Sequence, residues 1–383
     1  MPKRIRTTFL RNERYSAFLL LGAAIFGVVL ANSALGPGLQ SVRDAHLPIP
    51  WLGLDLSVGH WVTDGLLAVF FFLAAIELRH ELSHGELDSG RKALVPTVAA
   101  VGGVVVPAAI FLLLVRDTAL SGGWPIPTAT DIAFALGALA LVGRAMPTRV
   151  RALLLALAVI DDLIAILIIA FFFTQDLRPL PLLAAVPVIL IFGWLSRRAR
   201  SAPIVAILIL LGLAAWVLVH LSGIHATIAG VALGLIMASR SAGTTRHALE
   251  PWSNGIILPL FAFVAALVTL PAVGLSELSP VFWAIIVALP VGKLIGITGG
   301  AMIANRLAGR STTNIPLGDI VAVAGLGGIG FTVSLLMNEL AFAGNHDVAV
   351  EGTLAVLVAS VLAAVIGVIL TSLRSRHYRA GEV

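Results

Sequence analysis

Residues 150–174 read VRALLLALAVIDDLIAILIIAFFFT, and the fold turns on them. The run is long enough to cross a hydrocarbon core, which takes about 20 apolar residues. At its centre stand Asp161 and Asp162, with uninterrupted apolar sequence on either side. One charged side chain at the middle of a membrane helix costs at least about 2.5–3.5 kcal/mol on insertion scales, and neighbouring carboxylates also repel. A structural pair satisfied by a lysine and helix ends would need only one aspartate, so the doublet points to a site that holds cations and protons. Adjacent helical residues project about 100° apart. One carboxylate can therefore face a cavity while the other faces a neighbouring helix. Carboxylates, hydroxyls and carbonyls are hard ligands that suit sodium or lithium, and no cluster of His or Cys suggests a transition metal.

The rest of the chain agrees that the bilayer is its solvent. Of 383 residues, 59% are hydrophobic and 12% charged, and the mean hydropathy is +1.02, far outside soluble composition. The chain reads as an all-α membrane protein forming a single polytopic domain over residues 1–383. A pI near 10.4 does not imply nucleic acid as a partner, because the basic residues sit in small groups between apolar segments. The absence of cysteine excludes disulfides and Cys-ligated metals. The basic N-terminus followed by a long apolar run reads as an uncleaved first anchor rather than a signal peptide, since no clear A-x-A site follows.

Apolar runs give twelve expected spans: 15–33, 60–82, 94–115, 124–142, 150–174, 180–196, 203–219, 222–238, 254–272, 281–305, 318–342 and 350–373. On that count the groups around Lys3, Arg4, Arg6, Arg11 and Arg14, Arg79, Arg91 and Lys92, Arg144 to Arg151, Arg197 to Arg200, Arg240 and Arg246, Arg306 and Arg310, and Arg374 to Arg379 share one side. The other side keeps only Arg43, Arg116 and Arg178. By the positive-inside rule both termini are cytoplasmic. The stretch from Leu35 to Gly59 reads as an extracytoplasmic loop or β-hairpin in which Pro48-Ile49-Pro50 interrupts pairing.

Two spans are irregular. One opens with Trp124-Pro125-Ile126-Pro127-Thr128-Ala129-Thr130-Asp131, and another contains Gly325-Leu326-Gly327-Gly328-Ile329-Gly330-Phe331-Thr332. Proline and clustered glycine break helices, and broken backbone at membrane depth is tolerated only where protein or a water-filled cavity satisfies it. If residues 94–174 and 281–373 are inverted repeats, each carries its discontinuous helix in the middle, and the two cross near the bilayer midplane to frame a transport site. Thr130 and Asp131 support such a site, with Asp131 as an N-cap, a neutraliser of helix ends, or both. Lys293 is the only lysine inside a span and needs an acidic partner; Asp161 is the first choice, with snorkelling to an interface as the alternative.

At these residues the sequence closely resembles the NhaA-type bacterial sodium/proton antiporters, over about 15–374. The resemblance rests on Asn32, Ala68-Val69-Phe70-Phe71-Phe72, Ile76-Glu77-Leu78-Arg79-His80-Glu81-Leu82, Pro127-Thr128-Ala129-Thr130-Asp131-Ile132-Ala133-Phe134-Ala135, and the Asp161-Asp162 pair. It continues through His225-Ala226-Thr227-Ile228-Ala229-Gly230, Gly292-Lys293 and Gly328-Ile329-Gly330-Phe331-Thr332-Val333-Ser334. It implies electrogenic exchange of cytoplasmic sodium or lithium for external protons by alternating access, in the bacterial inner membrane, for sodium and pH homeostasis. Asp162 would be the main cation ligand, Asp161 the partner of Lys293 and a proton carrier, and Thr130 with Asp131 the support at the crossed helices. No cofactor is implied beyond the transported ions. The partners are membrane lipid and a second copy of the chain meeting at the hairpin.

The sequence departs from the family pattern at Thr245-Arg246-His247-Ala248-Leu249-Glu250-Pro251-Trp252, where relatives carry Leu-Glu-His-x-Leu-His-Pro-Trp, and at Ala265-Ala266-Leu267, where they carry Asn-Ala-Gly. The first change bears on pH regulation, for which Glu77, His80, Glu81 and His247, with His84, are the candidates; a solvated ionisable face is the alternative. An intramembrane aspartic protease would need carboxylates facing each other from different helices, whereas Asp161 and Asp162 are neighbours and Leu317-Gly318-Asp319 is an incomplete Gly-x-Gly-Asp motif. A sodium-coupled symporter would need a further polar pocket, which the sequence does not offer. The chain reads as a transporter rather than an enzyme.

Overall fold

The computed structural model describes residues 13–85, 87, 90–116, 119–174, 176–199, 201–270, 274, 277–308 and 315–380. Of the basic residues used for the topology, Lys3, Arg4, Arg6, Arg11, Arg200 and Arg310 lie outside them, as do the side chains of Arg14, Arg91, Lys92 and the pH-sensing candidate His84.

The helices run in order α1 (Glu13–Ala31) and α2 (Gly36–Asp44), then strands β1 (His46–Ile49) and β2 (Leu54–Ser57), then α3 (Leu67–His84) and α4 (Gly90–Leu114). There follow α5 (Ile132–Val142), α6 (Thr148–Phe172), α7 (Pro179–Ser196), α8 (Ala202–Leu221), α9 (Thr227–Ile236) and α10 (Ser239–Trp252). The chain ends with α11 (Leu258–Ala265), α12 (Pro280–Val287), α13 (Lys293–Ala308), α14 (Leu317–Gly327), α15 (Phe331–Ala341) and α16 (His346–Ala380). Short π-helical stretches lead into α3, α11 and α13.

Among the described residues, nine helices are long and apolar enough to cross a membrane, or up to eleven if two bent pairs each count as one span. The pairs are Tyr15–Ala31 with Gly36–Asp44, bent by 111°, and α14 with α15, bent by 48°. The expected twelve is therefore not reached on length and apolarity. The shortfall lies at 222–238, where only α9 is helical over its ten residues. That is about 15 Å of helix against a hydrocarbon core of about 30 Å. The cause is local: Gly223 takes a left-handed φ of +83°, which ends α8 in a turn, and Met237 and Ala238 are extended before α10 begins. The segment expected at 254–272 begins instead at Ser239 and ends at Ala265.

The chain divides into two compact units. Among the described residues, unit one comprises Leu20–His80 and Ile166–Leu267. Within it, glycines let backbones meet: a Cβ on Gly230 would press into the Ala68 carbonyl, and one on Gly234 would come 2.7 Å from the Ala75 Cβ. Membrane helices, lacking a hydrophobic drive toward each other, associate through such small-residue faces. The hairpin is seated on this unit by Leu54 and Leu56 of β2, which are buried with Trp216, Val219 and Ala226. Pairing runs unbroken from His46↔Ser57 to Ile49↔Leu54 and includes Pro48↔Asp55. The expected interruption does not occur, because β1 pairs only with β2 and an edge strand tolerates a missing N–H; Pro50 opens the 3-10 turn.

Unit two comprises the described residues within Asn12–Leu19, Glu81–Ala165 and Val268–Val383. Its tightest crossing joins α4 and α13, where a Cβ on Gly296 would lie 2.7 Å from the Gly102 carbonyl carbon and one on Gly300 would lie 3.0 Å from the Ala99 Cα. Backbone cannot yield as a flexible side chain can. Gly296→Ala should therefore lower thermal stability in detergent by about 1–3 kcal/mol. Gly299 lies in the same helix with nothing within 4 Å of an added Cβ, so Gly299→Ala should be neutral or stabilising by up to about 1 kcal/mol. Equal melting of the two variants would show that the crossing is looser than described.

Candidate functional site

In unit two, a 3-10 turn at Ile126–Thr128 is followed by extended residues before α5 starts. Residues 328–330 likewise separate α14 from α15. Each interruption frees backbone groups that lipid cannot satisfy, and the two satisfy one another. The Asp131 N–H donates to the Ile329 carbonyl at 2.6 Å, the Thr130 hydroxyl to the Gly327 carbonyl at 2.7 Å, and the Ser334 hydroxyl to the Ile126 carbonyl at 2.7 Å.

Asp131 ties the knot. Its Oδ1 accepts from the Phe134 N–H at 3.0 Å, capping α5. Its Oδ2 accepts from the Thr332 N–H at 3.2 Å and the Thr332 hydroxyl at 2.8 Å, in the first turn of α15. One carboxylate thus faces two helix N-termini, whose partial positive charge it balances. N-cap and electrostatic neutraliser are here a single arrangement.

Lys293 opens α13 and is fully buried. Its Nζ donates to Asp161 Oδ2 at 2.7 Å and to Thr130 Oγ1 at 3.0 Å. The pairing with Asp161 is thus present, and snorkelling is not. Thr130 accepts from the ammonium and donates its own O–H to the Gly327 carbonyl, so ion pair and interlock are continuous. Two atoms stand apart from this network: Asp161 Oδ1 and Asp162 Oδ1 are buried without a hydrogen-bond partner. Buried carboxylate oxygens without donors are costly, and they are the groups that a proton or a hard cation would satisfy.

Glu77 and His80 of α3 and His247 of α10 belong to unit one, and Glu81 to unit two. Glu77 forms an ion pair with Arg246. Arg79 donates to the carbonyls of Leu235 and Met237, closing the C-terminal end of α9.

Sequence reasoning quoted Thr332 within its motif but gave it no role in the site, and it gave none to the carbonyls of Gly327 and Ile329. A hydroxyl two residues after a glycine run, at the start of a resumed helix, was the available signal for Thr332. It also missed Asp64 in unit one, buried inside the 60–82 segment, with His225 Nε2 at 3.5 Å from its carboxylate and its carbonyl accepting from the Trp216 indole at 2.9 Å.

Comparison with known proteins bears on this geometry. The family described as Na+/H+ antiporter 1 matches residues 7–371. The chain is 54% identical over 381 residues to the "Na(+)/H(+) antiporter NhaA 2" of Clavibacter michiganensis, covering 97% of this chain and 93% of that one. It is 45% identical over 371 residues to the "Na(+)/H(+) antiporter NhaA" of Tropheryma whipplei, covering 95% and 94%. It is 43% identical over 390 residues to that of Thermobifida fusca, covering 97% and 94%. With the match running through both interruptions, the aspartate pair and Lys293, the chain belongs to the Na+/H+ antiporter 1 family.

Proposed function

We propose that this protein exchanges cytoplasmic sodium or lithium for external protons by alternating access, with Asp161 and Asp162 as the shared cation and proton site. The observation that carries this reading is the pair of buried, partnerless oxygens, Asp161 Oδ1 and Asp162 Oδ1, beside a lysine that already occupies Asp161 Oδ2. Asp131 has both oxygens committed to helix ends, so it supports the site without binding the ion. With three charges in play, two carboxylates and one ammonium, the ionised site carries one net negative charge, which a single monovalent cation neutralises. Carrying more protons than sodium ions per cycle makes the exchange electrogenic.

The same reading takes residues 94–174 and 281–373 as inverted repeats in a twelve-span polytopic chain of the bacterial inner membrane, with cytoplasmic termini. Both interruptions fall in the middle element of their stretch, which supports it. The hairpin is the contact for a homodimer, supported by the open edge of β1 and by Trp51 at its tip, which is 82% exposed.

In everted vesicles, sodium should release accumulated protons. Asp162→Asn should abolish that release while the protein remains inserted and folded; wild-type rates in the variant would remove Asp162 as ligand. Asp161→Asn should change proton coupling and also lower the melting temperature, since uncoupling a buried pair costs about 3–5 kcal/mol. Unchanged melting would mean that Lys293 needs no counter-charge.

Protons and sodium compete for the same oxygens, and each lowers the affinity of the other by the same coupling free energy. As pH falls, half-saturating sodium should rise, by up to about tenfold per pH unit for one competing proton. Solid-supported-membrane currents recorded with varied sodium at several pH values test this. A half-saturation constant independent of pH across the active range would mean separate routes for the two ions.

Arg246 gives Glu77 a fixed countercharge, where the family resemblance leads one to expect an acidic residue. Arg246→Glu should therefore shift the activity–pH curve, and an unmoved curve would place pH regulation elsewhere.

A further inference from the structure

The Leu317-Gly318-Asp319 motif finds no use in the ion site, and Asp319 is one of the buried carboxylates of unit two, its side chain fully enclosed at the start of α14. It is far from partnerless. Arg374 of α16 donates through Nε to its Oδ1 at 2.7 Å, the Tyr378 hydroxyl donates to its Oδ2 at 2.7 Å, and Arg149 in the first turn of α6 lies 3.6 Å from Oδ2. The shell is itself cross-linked: Arg149 donates to the Tyr378 hydroxyl at 3.2 Å, and the Arg374 guanidinium lies 4.8 Å from the centre of the Tyr378 ring. Gly318 makes room for it, since a Cβ there would stand 3.1 Å from Arg374 Nε. The glycine admits the arginine and the aspartate holds it.

This cluster pins together the starts of α6 and α14. Both helices then run to the ion site: α6 reaches Asp161 twelve residues after Arg149, about 18 Å of helix, and α14 reaches Gly327 eight residues after Asp319, about 12 Å. Their far ends are joined again through Asp161, Lys293, Thr130 and the Gly327 carbonyl. A closed frame results, with a charged joint at one end and the ion site at the other. A shift of α14 along α6 would carry the Gly327 carbonyl away from Thr130 and, through Thr130, disturb the ammonium that fixes Asp161.

We propose that Asp319 is a positioning residue for the ion site, acting with Arg149, Arg374 and Tyr378 to set the register between the helix that carries the aspartate pair and the interrupted helix that backs it. The proposal rests on the sodium/proton reading above. Asp319→Asn keeps the shape and removes the charge that draws both arginines in. It should raise half-saturating sodium by about two- to tenfold, the scale of coupling changes from residues that touch neither ligand, with a smaller change in maximal rate and the proton competition retained. Asp319→Glu should recover part of the loss.

The test is sodium-dependent current from the full-length protein reconstituted in liposomes, normalised to folded transporter. Should Asp319→Asn not survive purification, Arg149→Gln at the half-exposed partner replaces it, with a smaller rise expected. Variants that melt earlier yet keep the wild-type half-saturation constant would make the cluster a purely structural brace and overturn the proposal, and so would equal impairment of the Asn and Glu variants. Absence of sodium-dependent current in the wild type would remove the exchange reading and this inference together, whereas wild-type current with an unmoved constant in the variants would remove the inference alone.

Discussion

Backbone that leaves the helix inside a membrane must find its hydrogen bonds within the protein, and unit two is organised around that constraint. Neither interruption is self-sufficient. Residues 129–131 offer an N–H, a hydroxyl and a carboxylate; the 327–332 stretch offers two carbonyls, an N–H and a hydroxyl, and their groups close on each other within 2.6–3.2 Å. Asp131 does the most, since a charged acceptor bonds more strongly than a neutral one and it faces the positive ends of both α5 and α15.

The interlock sets how charge is distributed. Thr130 is fixed by its bond to Gly327, so its oxygen lone pair is fixed too, and that lone pair holds one of the Lys293 protons. The ammonium is thereby aimed at Asp161 Oδ2. A buried ion pair gains little net stability, because desolvation offsets the attraction, so the Lys293–Asp161 pair is better understood as setting which oxygens remain open. It occupies one of the four oxygens of the aspartate doublet and leaves Asp161 Oδ1 and Asp162 Oδ1 unpartnered.

Much of this was legible in the sequence because membrane insertion is a severe filter. Charges at Asp161, Asp162 and Lys293 stand out against apolar runs, and Pro127 and the glycines at 325–330 mark the interruptions. What was not legible depends on which elements meet. The Thr332–Asp131 bonds join residues 201 positions apart, and no local pattern encodes such a distance. Asp64 escaped notice because a single acid near the end of an apolar run reads as an interfacial residue until Trp216 and His225 are seen around it. Helix length failed at 222–238 for the opposite reason: apolar composition continues through Gly223 and Met237, where backbone conformation ends the helix. Hydropathy measures what a segment would prefer to touch, and it is silent on whether its backbone stays helical.

The two kinds of aspartate in unit two differ in their donors, and the difference follows from where each sits on its helix. Asp131 precedes a helix and Asp319 lies in the first turn of one, where free N–H groups and neighbouring helix ends bring donors and cations to a carboxylate. Asp161 and Asp162 lie in the middle of α6, where every backbone N–H is already spent on the helix and only side chains can reach them. Lys293 and Thr130 supply those groups to the edge of Asp161. A mid-helix carboxylate therefore keeps open valence by default, while a carboxylate at a helix start loses it. Open valence on a buried carboxylate thus goes with an unbroken helix, while the broken helices commit theirs to holding the interruptions still.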